Sequence, residues 1–214
     1  MESIFKGKTV AFVGLAPNIL GKGLGPEIDS HDLVYRTNIF PVSNPEDYGS
    51  RCDIISLVSE YHDKIDTLDV KNILAFEPFT VDKLTYWITP QERLKLRGWC
   101  MLNYELDIID GTAGMIAFWL CKKFGAKSIK FYGITGYQDL SGNVVVHSDD
   151  WKHYTDEAYG SKEVFEKSKL VDMPNYDCHN FWNQNTIFRE LLKEGEIDMD
   201  EFSKEYFKHG RKID

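Results

Sequence analysis

Gly14-Leu15-Ala16-Pro17-Asn18 is followed closely by Gly21-Lys22-Gly23-Leu24-Gly25. Glycines in such a run let a backbone turn sharply and approach a phosphate or ribose, because no Cβ stands in the way. The spacing is not that of a G-x-G-x-x-G dinucleotide fingerprint, and Gly21-Lys22-Gly23 lacks the Ser/Thr that follows the lysine of a P-loop. Asn18 and Asn38 each carry an amide that offers both a donor and an acceptor to a ribose, a phosphate or a base. Further on, Gly111-Thr112-Ala113-Gly114 leads into an apolar helical stretch. Thr112 suits the N-cap there, and the free N–H groups of its neighbours make an anion site for a carboxylate or phosphate. Two histidines complete the set, His153 within Trp151-Lys152-His153-Tyr154 and His179 at the start of a helical pattern. Imidazole is the side chain that exchanges a proton near neutral pH.

These residues need a frame. Lys8 to Gly14 is a short apolar run closed by glycine, which predicts a buried parallel strand entering a loop. Further strands are predicted at 33–35, 53–58, 72–76 and 128–132, with a short one at 144–147. A helix is predicted over 112–124, with Met115, Ile116, Trp119 and Leu120 on one side and Gly125 as its stop. Two more helices are predicted, over 179–194 with Phe181, Phe188, Leu191 and Leu192 inward, and over 200–208. Helices alternating with strands predict an α/β fold, a Rossmann-like three-layer sandwich on a mainly parallel sheet. The stretch 136–177 has little regular patterning and reads as a functional loop or lid.

At 214 residues the chain is long enough for one core that buries roughly 70% of the unfolded surface, so residues 1–214 are expected to form a single domain. The formal charge of −9 argues against a nucleic-acid partner, which requires a basic face. The start Met-Glu-Ser-Ile-Phe-Lys-Gly-Lys has no basic head with a long apolar run, and nowhere do about 18 apolar residues run together, so no transmembrane segment is expected. Cys52, Cys100, Cys121 and Cys178 are irregularly spaced, which points to reduced thiols and a cytoplasmic location. His147, Asp149, Asp150 and His153 lie close together but lack ligand-like spacing, so no metal is expected.

The run from Gly25 through Tyr35-Arg36-Thr37-Asn38 to Pro41, followed by Asp47-Tyr48-Gly49-Ser50-Arg51, resembles the long sialylmotif of glycosyltransferase family 29, the animal-type sialyltransferases. Gly111-Thr112-Ala113-Gly114 with Phe131-Tyr132-Gly133 resembles the short motif, Trp151-Lys152-His153-Tyr154 the third, and His179 the histidine of the very short motif. The resemblance implies a GT-A-like variant fold and an inverting, metal-independent glycosyltransferase. Its donor would be a CMP-sugar carrying sialic acid or Kdo, and its acceptor a hydroxyl of a glycan or glycolipid. By the same resemblance Gly14, Asn18, Asn38, Thr112, Ala113, Gly114, Tyr132, Gly133, Trp151 and Tyr154 would bind the donor. His179 would take the proton of the acceptor hydroxyl, and His153 would assist the departing phosphate.

The chain departs from the family at three positions. Leu15 stands where an asparagine is common, and Gln184 where the very short motif has a glutamate. Val10 occupies the place of the cysteine that in secreted relatives bridges to the position of Cys121. Two other classes compete with an enzyme of this kind. One is a non-catalytic nucleotide- or carbohydrate-binding protein, for which Leu15 and Gln184 would mark lost activity. The other is an NAD-dependent oxidoreductase, which would want an intact glycine fingerprint and an acidic residue where Tyr35-Arg36-Thr37-Asn38 ends the second strand.

Overall fold

In the computed structural model, residues 1–38, 41–58, 61, 65–76, 84–108, 111–138, 140, 145–147, 170–172 and 180–209 are described. Strand β1 (Thr9–Val13) alternates between two apolar faces. Val10 and Phe12 join one core cluster and Ala11 and Val13 another, as the two-residue period of a strand buried on both sides requires. Around it run β2 (Leu33–Thr37), β3 (Ile54–Leu57), β4 (Asn72–Ala75), β5 (Leu84–Trp87), β6 (Ser128–Tyr132) and, later in the chain, a short strand at Asp198–Met199. The sheet is seven-stranded with the order β5-β4-β3-β2-β1-β6 and then the Asp198–Met199 strand, and every pairing in it is parallel.

Helices cover both faces. On one side lie α4 (Pro90–Tyr104), α5 (Ala113–Lys123) and α6 (Phe181–Glu194), whose Leu96, Ile116 and Phe188 meet Phe12, Tyr35 and Phe131 of the sheet. On the other lies α2 (Gly25–Asp29), with α3 (Pro45–Tyr48) beside it, where Ile28 and Tyr48 pack with Ala11, Val34 and Tyr132. A short α1 (Glu2–Phe5) leads into β1, and α7 (Glu201–Phe207) follows the last strand of the sheet. This is the expected three-layer α/β fold on a Rossmann-like sheet.

The helix ends follow their local chemistry. Helix α6 stops at Gly195, whose φ of 73° accepts the left-handed turn while Glu196 N donates to Leu191 O at 3.0 Å. Asp200 caps α7 by accepting from the N–H groups of Phe202 and Ser203 at 2.9 and 2.8 Å. Inside α5 it is Phe118 that turns inward, 2% exposed, whereas Trp119 is only partly buried. Val10 and Cys121 share the core between β1 and α5, and burial raises the Cys121 thiol well above its ordinary range.

Strand β5 and helix α4 follow no apolar run of the kind seen in the central strands. Leu84-Thr85-Tyr86-Trp87 is an edge strand with alternate residues exposed, so its pattern is half polar. The start of α4 is nevertheless written in Thr89-Pro90-Gln91-Glu92: Thr89 Oγ1 accepts from Glu92 N at 3.2 Å, and Pro90 opens the helix. The predicted strand at 144–147 exists as β7 (Val145–His147), but it pairs antiparallel with β8 (Leu170–Asp172) in a separate two-stranded sheet. The Asp198–Met199 strand, hereafter β9, is too short to show a period.

Candidate donor-binding site

The chain runs outward in one direction from β1 to β5 and then returns to place β6 on the other side of β1. In an open parallel sheet the loops leaving two such strands diverge beyond their carboxyl ends and leave a crevice for a ligand. A cavity of about 410 Å³ opens there. Its walls include Gly14 and Leu15 after β1, Thr37 and Asn38 at the end of β2, Gly111 to Gly114 at the start of α5, Gly133 to Tyr137 after β6, and Phe181, Gln184 and Asn185 of α6. Phe12, Phe188 and Phe207 contribute aromatic surface.

The two loops at the switch point are joined to each other. Gly14 N donates to Tyr132 O at 2.8 Å and Ala16 N to Gly133 O at 2.9 Å. A Cβ on Gly14 would stand 2.5 Å from Gly133 O and from Ile134 Cγ2. The glycine at 14 is therefore demanded by the loop that follows β6, although the residue also lines the cavity.

The second glycine group has a different occupation from the phosphate contact its sequence allows. Gly21 N and Gly23 N both donate to the carboxylate of Asp47, each at 2.7 Å, and Asp47 is 4% exposed. A carboxylate of the same chain thus already fills the place an anion would take. Much of the long-motif stretch serves the same packing role. Tyr48 Oη donates to Ala16 O at 2.7 Å, and Arg36, 1% exposed, donates to the carbonyls of Arg51, Tyr48 and Gly49. Asp29 accepts from Ser50 N, Ser50 Oγ and Arg51 N; burial pushes its carboxyl up, and these hydrogen bonds outweigh it and hold the group below its ordinary range.

Of the residues expected to bind a donor, Gly14, Asn38, Thr112, Ala113, Gly114 and Gly133 line the cavity. Asn38 takes a left-handed φ of 62°, a conformation asparagine tolerates better than most residues. Its Oδ1 accepts from Val58 N at 3.2 Å, while Nδ2 donates to no described residue. Thr112 stands at the N-cap of α5, but its side chain makes no capping bond. Its backbone N–H goes to Gln184 Oε1 at 2.9 Å, which ties the start of α5 to α6. No acidic residue occupies the first turn of α5, so its positive end faces the cavity without an internal counter-charge.

Asn18 and Tyr132 lie elsewhere. Asn18 Nδ2 donates to Ser203 Oγ at 3.1 Å, within a network in which Ser203 Oγ donates to Asp200 Oδ2 and Gly133 N donates to the same carboxylate oxygen at 3.1 Å. Tyr132 points to the opposite face of the sheet because strand alternation gives Phe131 the cavity side, and its hydroxyl donates to Glu27 Oε1 at 2.8 Å. His153, His179, Trp151 and Tyr154 fall outside the described residues, as do Cys178, Asp149 and Asp150.

Two wall residues carry a signal absent from the motifs. Thr37 is 7% exposed, and its Oγ1 is buried without a hydrogen-bond partner. Arg93, on the first turn of α4, is the one charged side chain among the described residues of the wall. Nothing in the spacing around Thr37 or Arg93 distinguishes them from other strand or helix residues; only the fold brings them to the cavity.

No family model and no curated protein matches the chain. The fold is similar to the crystal structure of a mammalian sialyltransferase, with a TM-score of 0.58 and 15% identity over 90% of this chain and 68% of that one. It is also similar to a mammalian sialyltransferase in complex with Gal-beta-1-3GalNAc-ortho-nitrophenol, with a TM-score of 0.57 and 14% identity over 92% and 71%. A structure of the sialyltransferase CstII from Campylobacter jejuni with the substrate analogue CMP-3FNeuAc matches with a TM-score of 0.49 and 14% identity over 90% and 80%. The chain thus has a sialyltransferase-like α/β fold.

Proposed function

We propose that this protein is a sialyltransferase-like inverting glycosyltransferase that moves an acidic sugar, sialic acid or Kdo, from a CMP-sugar to a glycan hydroxyl. The observation that carries the proposal is a convergence: Asn38 from the long-motif stretch and Thr112 to Gly114 from the short-motif stretch reach one cavity at the switch point of the sheet. Similarity to the mammalian sialyltransferase fold supports the same assignment. In this scheme the amide of Asn38 and the hydroxyl of Thr37 hold the nucleoside, and the N–H groups at the start of α5 hold the phosphate. His179 precedes Asn180 and α6, whose Phe181 lies on the cavity wall, and serves as the base for the acceptor hydroxyl. His153 stabilises the charge of the departing phosphate.

Calorimetry with CMP and NAD tests the nucleotide, and single-turnover transfer from CMP-Neu5Ac and CMP-Kdo tests the reaction. CMP is expected to bind and NAD not. His179→Ala is expected to leave CMP affinity nearly unchanged while lowering turnover roughly 10²- to 10⁴-fold. His153→Ala should weaken donor binding and slow transfer together. Absence of CMP binding in the wild type overturns the proposal. Tight CMP binding with no transfer from either donor leaves a nucleotide-binding protein in its place.

A further inference from the structure

Helix α7, with its cap, meets the loop after β6 through residues spaced a turn apart. Asp200 Oδ2 accepts from Gly133 N at 3.1 Å, and Ser203 Oγ accepts from Ile134 N at 3.1 Å. Phe207 stands against Gly136, where an added Cβ would lie 2.9 Å from Phe207 Cζ. The same Ser203 Oγ accepts from Asn18 Nδ2 at 3.1 Å, which brings in the 3-10 turn Pro17–Ile19 after β1. Gly133 is thereby held on both sides, its N–H by Asp200 and its carbonyl by Ala16 N. Gly133 to Tyr137 and Phe207 line the cavity, whereas Asn18, Asp200 and Ser203 are not part of its wall.

Capping alone does not account for Asp200. Its Oδ1 already accepts from Phe202 N and Ser203 N, the groups that a cap serves. Oδ2 goes to Gly133 N and to the Ser203 hydroxyl, which donates to it at 2.5 Å. A carboxylate has about four acceptor positions, and a serine hydroxyl one donor and two acceptor positions, so both side chains are fully used. They are 3% and 0% exposed, which keeps water from replacing any of these bonds. We propose that Asp200 and Ser203 are positioning residues for the donor cavity, fixing the β1 and β6 loops against each other so that Gly133 to Tyr137 are set before a nucleotide arrives. The proposal rests on the donor-site reading above and deepens it: Asn18 contributes to nucleotide binding through Ser203 and not by touching the ligand. Loops without this joint would have to be ordered by the nucleotide itself, at a cost in affinity.

The test is a double-mutant cycle read by calorimetry with CMP on wild type, Asn18→Ala, Ser203→Ala and the double variant, each at a temperature where it is fully folded. Each single variant should bind CMP roughly 3- to 30-fold more weakly, the range of one or two lost hydrogen bonds. The double variant should bind within about 2-fold of Ser203→Ala, because both changes open the same joint. Losses that multiply would mean that Asn18 contacts the nucleotide directly, and they overturn the proposal, as does unchanged affinity in either single variant. Ile73→Ala is the control for instability alone, since Ile73 is 0% exposed in β4 and is not part of the cavity wall. It should lose at least as much stability in urea and keep CMP affinity within about 2-fold of wild type; a loss equal to that of Ser203→Ala overturns the proposal. If Ser203→Ala does not fold, Asp200→Asn takes its place in the cycle under the same criteria, since it keeps an oxygen for the cap and gives up the acceptor of Gly133 N. A wild type that does not bind CMP removes the donor-site reading and this inference with it, whereas the other adverse results remove only the inference.

Discussion

Thr37 carries a buried hydroxyl that makes no hydrogen bond, and a substitution decides whether it serves a ligand, as proposed, or the fold. It is buried at the end of β2 with Oγ1 unpartnered, an arrangement that lowers stability by up to a few kcal/mol. Thr37→Val is nearly isosteric and removes the orphan group. The variant should be as stable as wild type or up to about 2 kcal/mol more stable in urea unfolding, while CMP affinity drops about 3- to 10-fold. Lower stability with unchanged affinity would assign the hydroxyl to the fold. Gln184 makes the opposite kind of contribution, because its Oε1 accepts the Thr112 N–H in a site only 1% exposed. Gln184→Leu should therefore lose about 1–3 kcal/mol, as an N–H is left without an acceptor. Gln184→Glu supplies an acceptor at a helix N-terminus and should stay within about 1 kcal/mol of wild type at neutral pH. Both values come from the same denaturation series, and a glutamate variant as unstable as the leucine one would refute the positioning role.

At the level of elements, α2 is held to the sheet by polar contacts at its solvent edge. Glu27 Oε1 accepts from Lys130 Nζ at 2.7 Å and from Tyr132 Oη at 2.8 Å. The Lys130 hydrogen bond is the largest cause holding the Glu27 carboxyl below its ordinary value of 4.5, burial opposes it, and the Tyr132 bond adds to it. A carboxyl whose folded value is depressed contributes stability that is present above the unfolded value and is lost as pH falls through the folded one. The difference in urea midpoint between wild type and Glu27→Gln should therefore be constant from neutral pH down to about 5 and shrink below 4.5. A difference that persists unchanged well below that value would mean that packing, not charge, holds α2 in place. The ion pair of Lys123 with Glu92 does similar work between α5 and α4, where Tyr86 of β5 also donates to Glu92 Oε1 at 2.5 Å.

For the whole molecule the seam between β1 and β6 is decisive, because it joins the two strands of the switch point and the residues that follow them line the cavity. Gly14→Ala inserts a methyl 2.5 Å from Gly133 O, a distance at which backbone has to move. Destabilisation of about 1–3 kcal/mol is expected from such overpacking, together with weaker CMP binding as the two loops separate. Thermal unfolding with and without CMP reads both effects. Wild-type stability in the alanine variant would show that the seam is looser than its hydrogen bonds imply.

Apolar runs buried on both faces are written in local composition, so the positions of β1 to β4 and β6 were legible in the sequence, and so was the α/β class. The same holds for α5, α6 and α7: Gly125 and Gly195 follow the first two as stops, and Asn180 and Asp200 cap the last two, all local features. Edge strand β5 and the short β9 were not legible, because a strand exposed on one side, or only two residues long, carries no distinct period. At the site, sequence spacing singled out Asn38 and Thr112 to Gly114, which the cavity does bring together. It could not tell that Asp47 holds the amides of Gly21 and Gly23, or that strand alternation turns Tyr132 away. Nor could it mark Thr37 and Arg93, since a single threonine on a strand and a single arginine on a helix acquire meaning only from what faces them. Those assignments depend on long-range packing across the sheet, which a linear pattern does not encode.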